Sequence, residues 1–430
     1  MLSLWLCASA LAVSLEEAWD AAQKNSLDLS LVHEQVVQAQ ATRFQAFAAI
    51  QPQISMTGNY IYNDKATEVD LGSGLFDSLP EEFAPFFEDV EIPPTVIEQK
   101  SYFTYELQIA QPLLNGQALP GLRLVGQNLK AARAEEQDVR GKLRGGLARV
   151  YYGLVVAREA QKLTAEAVAN ATKHAEMVEK QLAAGLAPPN ASLQAQLAVA
   201  RAERERANAD ASVQRAEQAF ALLTGLDPST PVSLPEPLPL PVDSLDAALE
   251  AALSSRHDVE AAGYRLNAAE ANRGLSYAGW LPSLTGVFRL NVNPKTDFNP
   301  DPTRWKLILN AQWNLWDGGM RIGANQVASS QYRQASDAEE KVRLEAEQQV
   351  TLAWEEYSRA SVAVAAVERE VRLAEDNLRL AEVAYQAGTL TFLDLEDARL
   401  GWKAARMSQL GERMNRDLAV IDLMVAIGRY

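Results

Sequence analysis

Thirteen residues near one end of the chain, Ala387 to Arg399 (AGTLTFLDLEDAR), place Thr391, Asp394, Glu396 and Asp397 just behind a single glycine, Gly388. Two chemistries suit this group. Closely spaced carboxylates can gather cations. The same residues can also start a helix, with Thr391 covering an orphan backbone N–H and Asp394 reaching back to complete a capping box, while the helix dipole favours acids in a first turn. Both readings stand at this point, and catalysis is not among them. His33, His174 and His257 are scattered, and the chain has no His-Glu-x-x-His pair, cysteine cluster or Gly-x-x-x-x-Gly-Lys-Ser/Thr phosphate loop. Gly72-Ser73-Gly74 sits in an acidic stretch without a strand-to-helix context. No enzyme, cofactor or metal site is expected.

Composition says what must position such a group. The chain has 430 residues and a net charge of −16, with 40 basic against 56 acidic residues. A nucleic-acid partner would need a basic footprint, so none is expected. Richness in Ala, Glu, Gln and Arg points to long helices. The apolar stretch Leu2 to Val13 is too short to span a bilayer as a helix, and Ala10-Leu11-Ala12 supplies a small-x-small site. Residues 1–12 therefore read as a signal peptide cleaved after Ala12. Lipidation of Cys7, the only cysteine, is the competing reading, disfavoured by the bulky Trp5 and Leu6 before it. With no later run of ~18 apolar residues, a membrane role would fall to strands.

The chain is written twice. Ser14, Asp28 and Pro52 match Ser244, Asp258 and Pro282 at an offset of 230; Asn115-Gly116 matches Asp317-Gly318 at 202; Gly185 and Gly225 match Gly388 and Gly428 at 203. The repeats cover 14–226 and 244–430, joined by a proline-rich linker at 227–243 whose prolines favour extended geometry. Within each, the pattern predicts a short helix, a strand pair, a very long helix, a tight break and a medium helix. The strand pairs are expected at 53–62 with 101–113 and at 284–292 with 305–316. The long helices are expected at 121–184 and 319–387, on the order of 95 to 100 Å each, and the medium ones at 190–224 and 391–427. In the second long helix Val364, Val367, Val371, Ala374, Leu378, Ala381 and Tyr385 form a coiled-coil seam. Gly185 and Gly388 would end the long helices in left-handed turns.

The strands alternate. Phe103, Tyr105, Leu107 and Ile109 share one face, as do Trp305, Leu307, Leu309, Ala311, Trp313 and Leu315. Strands of about ten residues with aromatic ends fit an outer-membrane barrel wall, and a half-buried soluble sheet would alternate in the same way. Four strands cannot close. In lipid their open edges would have to be completed by other chains, which implies a rotationally symmetric homo-oligomer. About 28 extra residues fall in the first repeat between Tyr60 and Tyr105, where an acidic loop, about 63–100, replaces a simple hairpin and is expected to be a solvated surface loop, with FAPFF as a candidate plug.

Duplication, LPSLTG leading into a strand, LWDGG leading out of one, and YQAGTLTFLDLEDA at a helical turn together resemble the TolC family of outer-membrane efflux proteins. That resemblance implies a mainly α fold with β: a homotrimer whose long coiled-coil helices form an α-helical barrel continuous with a 12-stranded outer-membrane β-barrel, four strands per chain. It implies the Gram-negative outer membrane and its lipid as location, with a periplasmic helical tube. It also implies a channel-tunnel in tripartite efflux or type I secretion, opened by a periplasmic adaptor and an inner-membrane transporter. Asp394 and Asp397 match positions where the family rings its closed aperture with carboxylates, and Tyr385 is beside them. Gly185, Leu186, Ala187 and Asn190, with Gly388, Thr389 and Leu390, fall at the tips that would meet the adaptor. Two positions depart from the family: an arginine expected two residues after the tip glycine is Leu390, and an aspartate expected in the first repeat is Ala191. The mouth is then expected to be held shut mainly by coiled-coil packing. A periplasmic coiled-coil adaptor or scaffold is the alternative, though such proteins usually carry one hairpin between small β domains.

Overall fold

The computed structural model describes residues 12–69, 80, 95–185, 188–233, 238–296 and 301–429. The signal segment, apart from Ala12, and FAPFF lie outside the described residues. The described elements are α1 (Leu15–Asn25), α2 (Leu27–Phe47), β1 (Gln53–Tyr62), β2 (Thr67–Val69), β3 (Thr95–Glu98), β4 (Ser101–Leu114), α3 (Ala118–Ala183), α4 (Pro189–Thr224), α5 (Leu245–Ser255), α6 (His257–Ala278), β5 (Ser283–Val292), β6 (Thr303–Gln312), α7 (Met320–Gln386) and α8 (Phe392–Ala426). A single 3-10 turn, Ala48–Ile50, links α2 to β1.

Two compact units divide the chain, and neither coincides with a sequence repeat. One comprises Met1–Gln38, Lys130–Arg265 and Ser336–Tyr430; the other comprises Ala39–Leu129 and Leu266–Ala335. Each unit draws on both repeats: β4 of the first repeat pairs with β5 of the second, and Ile421 of the second repeat joins Ala18, Leu147 and Phe220 of the first in one core.

The second unit holds a four-stranded antiparallel sheet in the order β1-β4-β5-β6. Each repeat supplies one strand pair, and β4 joins β5 across the repeats. Pairing register lines up residues of one kind in continuous rows. Met56, Leu107, Leu290 and Trp305 form one row and Ile54, Ile109, Phe288 and Leu307 the next. Between them run Ser55, Gln108, Arg289 and Lys306, whose side chains point to the opposite face. The sheet is therefore apolar on one side and polar on the other. On the polar side Arg289 donates to Gln108 at 2.9 Å and lies 3.9 Å from Glu106. Aromatic contacts join neighbouring strands on the apolar side, with Tyr60 and Phe103 ring centroids 4.9 Å apart and Phe288 and Trp305 6.2 Å apart.

The last strand departs from its expected limits. It starts at Thr303 and stops at Gln312, because Ser283 is the last partner β5 can offer. Trp313 instead turns its indole N–H to the Trp280 carbonyl at 3.1 Å. In the acidic loop, Thr67–Val69 and Thr95–Glu98 pair as a small two-stranded sheet.

Both long helices start on the same device. The Asn115 side chain accepts from Gln117 N at 3.1 Å, and Asp317, at the equivalent position, accepts from Gly319 N at 3.2 Å. Asx turns of this kind satisfy N–H groups that a helix start leaves without partners.

In the first unit α1 begins on a capping box, Ser14 with Glu17, and α5 begins on Ser244, which accepts from Ala247 N. Its core gathers Ala18, Ala22, Leu147, Tyr151, Leu154 and Phe220, all fully buried. A second cluster centres on Val350, Leu423 and Ile427. The short helices end against the hairpin ends. Asn25 donates to the carbonyls of Leu222 and Leu223 at 3.0 and 3.3 Å. In the other copy Arg256 donates to the Ala426 carbonyl at 3.2 Å and grips Asp258 at 2.6 Å. The linker is strapped down: Val13 pairs with Pro231 and Ser233, Arg158 donates to the Thr230 carbonyl at 2.8 Å, and the Tyr151 hydroxyl lies 2.8 Å from the carbonyls of Val13 and Ser233.

Candidate functional site

The turn that joins α7 to α8 is built from backbone chemistry. Gly388 has φ +76° and follows the last residues of α7. Its N–H donates to the Tyr385 carbonyl at 3.0 Å while Thr389 N donates to Ala384 at 3.0 Å. This is a Schellman closure, which satisfies carbonyls at a helix end and needs a left-handed residue at its centre. The Thr389 hydroxyl adds a bond to the Ala384 carbonyl at 3.0 Å. Gly185 repeats the conformation at φ +71° and donates to Leu182 at 3.0 Å. Leu186 and Ala187 lie outside the described residues.

The two hairpins restart differently. Helix α8 starts on a capping box: Asp394 N donates to the Thr391 hydroxyl oxygen at 3.3 Å, and Thr391 N donates to the Asp394 carboxylate at 3.2 Å. The Thr391 hydroxyl also donates to that carboxylate at 2.5 Å. Helix α4 has no side-chain cap, and Pro189 occupies its first position, where a missing N–H costs nothing. Ala191 N reaches back to the Pro188 carbonyl at 3.0 Å, and Asn190 is exposed beside it.

The acids of the second turn divide by environment. Asp394 is exposed and engaged in the cap, and Asp397, also exposed, points away from the packed seam. Glu396 pairs with Arg399 at 2.9 Å, and Arg399 lies 3.7 Å from Glu382 on α7. On the opposite side of this turn the buried Leu395 and Ala398 pack against Ala381, joined by Leu378, Tyr385 and Leu390. Tyr385 and Leu390 thus serve the hairpin's own packing. Further along, Val367 and Val371 meet Ala405, so the heptad seam of α7 is the face turned to α8. Helix α3 comes close as well. Burial pushes the His174 imidazole below its ordinary value, and the Glu396 carboxylate across from it pulls the other way.

Sequence reasoning placed Gly388, Thr391, Asp394 and Asp397 together, and the structure does the same. It passed over Glu382, Glu396 and Arg399 as an ion-paired group. Their signal was present as Glu396 and Arg399 at helical i,i+3 spacing, with Glu382 at the position that faces Arg399 across an antiparallel hairpin. The remaining histidines form separate surface pairs, His33 with Glu136 at 3.2 Å and His257 with Glu260 at 3.3 Å. Among the described residues no group of three or more His, Cys, Asp or Glu could hold a metal ion, and no helix is long and apolar enough to cross a membrane.

Comparison with known proteins gives a consistent result. The family model described as outer membrane efflux protein matches residues 18–226 and 248–429. The cation efflux system protein CusC of Escherichia coli K12 is 25% identical over 311 residues, 70% of this chain and 67% of CusC. A solved structure of CusC superposes with a TM-score of 0.77 at 20% identity, over 97% of this chain and 92% of that one. The outer membrane protein VceC of Vibrio cholerae superposes with a TM-score of 0.75 at 21% identity, over 96% of each chain. The fold is TolC-like. With the family model covering both repeats, this chain belongs to the outer membrane efflux proteins.

Proposed function

We propose that this chain is one of three subunits of a passive outer-membrane conduit. Three four-stranded sheets join edge to edge as a twelve-stranded barrel, and the helices of three chains form a periplasmic tube. The observation that carries this is the sheet itself. Apolar rows run unbroken across all four strands, with Leu307 67% and Trp305 69% exposed in a single chain. Strands of ten residues at a barrel tilt span the hydrocarbon layer. Its two edges, β1 and β6, carry backbone groups that would each cost several kcal/mol if left unpaired in lipid. Joining β6 of one copy to β1 of the next removes that cost.

The helix turns are the periplasmic mouth in this reading. Packing within each hairpin holds it shut, and opening follows engagement of an adaptor at Gly185, Leu186, Ala187 and Asn190 and at Gly388, Thr389 and Leu390, with an inner-membrane transporter behind it. Asp397 is the carboxylate best placed to meet cations at the mouth, since Asp394 is committed to its cap; Tyr385 braces the turn. The chain carries no chemistry of its own, and cargo is chosen by the transporter. The term cation efflux belongs to the name of CusC; here it agrees with an acidic mouth that would pass cations.

Cysteine pairs placed across the proposed seam test the assembly. With Cys7, the only native cysteine, replaced by Ser and one cysteine placed on β1 and one on β6, oxidation in membranes is expected to give dimers and trimers and nothing larger. Crosslinks that stop at dimers, or extend beyond trimers, would remove the twelve-stranded barrel.

A further inference from the structure

A charge ladder closes the second hairpin. Arg413 of α8 donates to Glu368 of α7 at 3.0 Å, and Arg399 of α8 lies 3.7 Å from Glu382 of α7. Two heptads separate Glu368 from Glu382, and two heptads separate Arg399 from Arg413 on the antiparallel partner. Glu375 and Arg406 stand midway on the two helices, so the same register makes them a third rung. That rung is open in this structure. The Arg406 guanidinium lies 5.7 Å from the centre of the Trp402 ring, and it makes a long contact of 3.5 Å to Gln409. Charges flanking an apolar seam at heptad intervals are how coiled coils fix register.

The first hairpin does not repeat the device. The equivalent positions, 203 residues earlier, are occupied by Ala165 and Asp210, Thr172 and Glu203, and Glu179 and Gln196. None of these pairs joins opposite charges. Two of its interhelical polar links, Arg158 to Glu217 at 2.7 Å and Gln161 to Asp210 at 2.7 Å, lie more than twenty residues from Gly185.

We propose that the ladder Glu368, Glu375, Glu382 against Arg413, Arg406, Arg399 locks the register of the α7–α8 hairpin, so that it responds to load at its tip as one rod, whereas the α3–α4 hairpin is free to shear along its lower part. Arg406 is the adjustable member, held on Trp402 in this state and within the register that would bring it to Glu375 under load. The inference rests on hairpin geometry alone and holds whether or not the turn is a channel mouth.

Hydrogen exchange of the full chain in detergent tests it, read at amides of α7 and α8 between the ladder and Gly388. Each partner of an exposed pair contributes little, so Glu382→Arg alone is expected to speed exchange about two- to fivefold through added repulsion. The double reversal Glu382→Arg with Arg399→Glu should return it to the original rate. Raising salt should shrink the difference, since exposed charges are screened. Glu375→Gln should leave the resting rate unchanged, because its rung is open. The proposal fails if the single reversal leaves exchange as it was, if the double reversal does not restore it, or if Glu375→Gln alone has the full effect. Equal effects of reversing Glu179, in the first hairpin, would also overturn it by removing the difference between the hairpins.

Discussion

Placing an arginine at Leu307 separates a lipid-facing sheet from a water-facing one by several kcal/mol. Leu307 sits halfway along β6 in the apolar row with Ile54, Ile109 and Phe288. If the row meets hydrocarbon, a charge near the bilayer midplane costs about 2 to 4 kcal/mol per chain. Three copies raise that to about 6 to 12 kcal/mol per assembly, comparable with the whole stability of an ordinary domain at roughly 5 to 15 kcal/mol. If the row met water, the same change at an exposed position would stay within about 0.5 kcal/mol. Asn310→Arg is the control, three residues along the same strand on the polar face. The assay is folding into lipid vesicles followed by urea titration, with tryptophan fluorescence and gel mobility as readouts. Leu307→Arg should fold poorly or unfold at much lower urea, and Asn310→Arg should behave like the parent. Equal behaviour of the two variants would refute the assignment of faces.

Other expectations concern the helix ends. Thr391→Ala removes the hydroxyl half of the α8 cap, leaving the backbone N–H of residue 391 to the Asp394 carboxylate, and should cost about 1 kcal/mol, seen as faster exchange confined to the first turn of α8; Asp397→Ala should leave those amides unchanged while lowering cation preference in planar bilayers. Gly388→Ala forces a side chain into the left-handed region and should cost roughly 1 kcal/mol, detected as a lower midpoint in thermal unfolding. Arg256→Ala strands the half-buried Asp258 and should cost about 3 kcal/mol. Burial pushes the Asp258 carboxyl up, but the Arg256 guanidinium more than offsets this and holds it below the ordinary carboxylate value. A depressed acid stabilises the fold above its unfolded pKa, near 4, and that contribution is lost as pH falls through the lower folded value. Acid unfolding curves of the parent should therefore show a loss below about pH 4 that Arg256→Ala no longer shows.

Much of this architecture was legible because local and global signals agree. The seam from Val367 to Tyr385 reads as a coiled coil and packs as one, since three-and-four spacing leaves an apolar stripe only one place to go. Gly185, Gly388 and the Thr391 capping box were legible for the same reason: each satisfies backbone groups within its own few residues. The pairing of β4 with β5 was not, because alternation fixes which face a residue takes and says nothing of which strand lies beside it. The end of β6 was missed because Trp313 and Leu315 continue the alternation after the partner strand has run out. Arg399 was missed at the turn because, although Glu396 lies three residues before it on the same helix, its other partner, Glu382, lies on α7 and only the antiparallel register brings the two together. The division into compact units was hidden as well, since a duplicated sequence invites division at its repeats while each unit combines segments of both.

The central claim is that one face of this sheet meets hydrocarbon and that three chains are needed to close it. Native mass spectrometry of the mature protein released from lipid nanodiscs tests this most directly. A single species of three chains that scatters into aggregates when lipid and detergent are withdrawn is the predicted result. A stable one-chain species in plain buffer, with the sheet intact by circular dichroism, would contradict it.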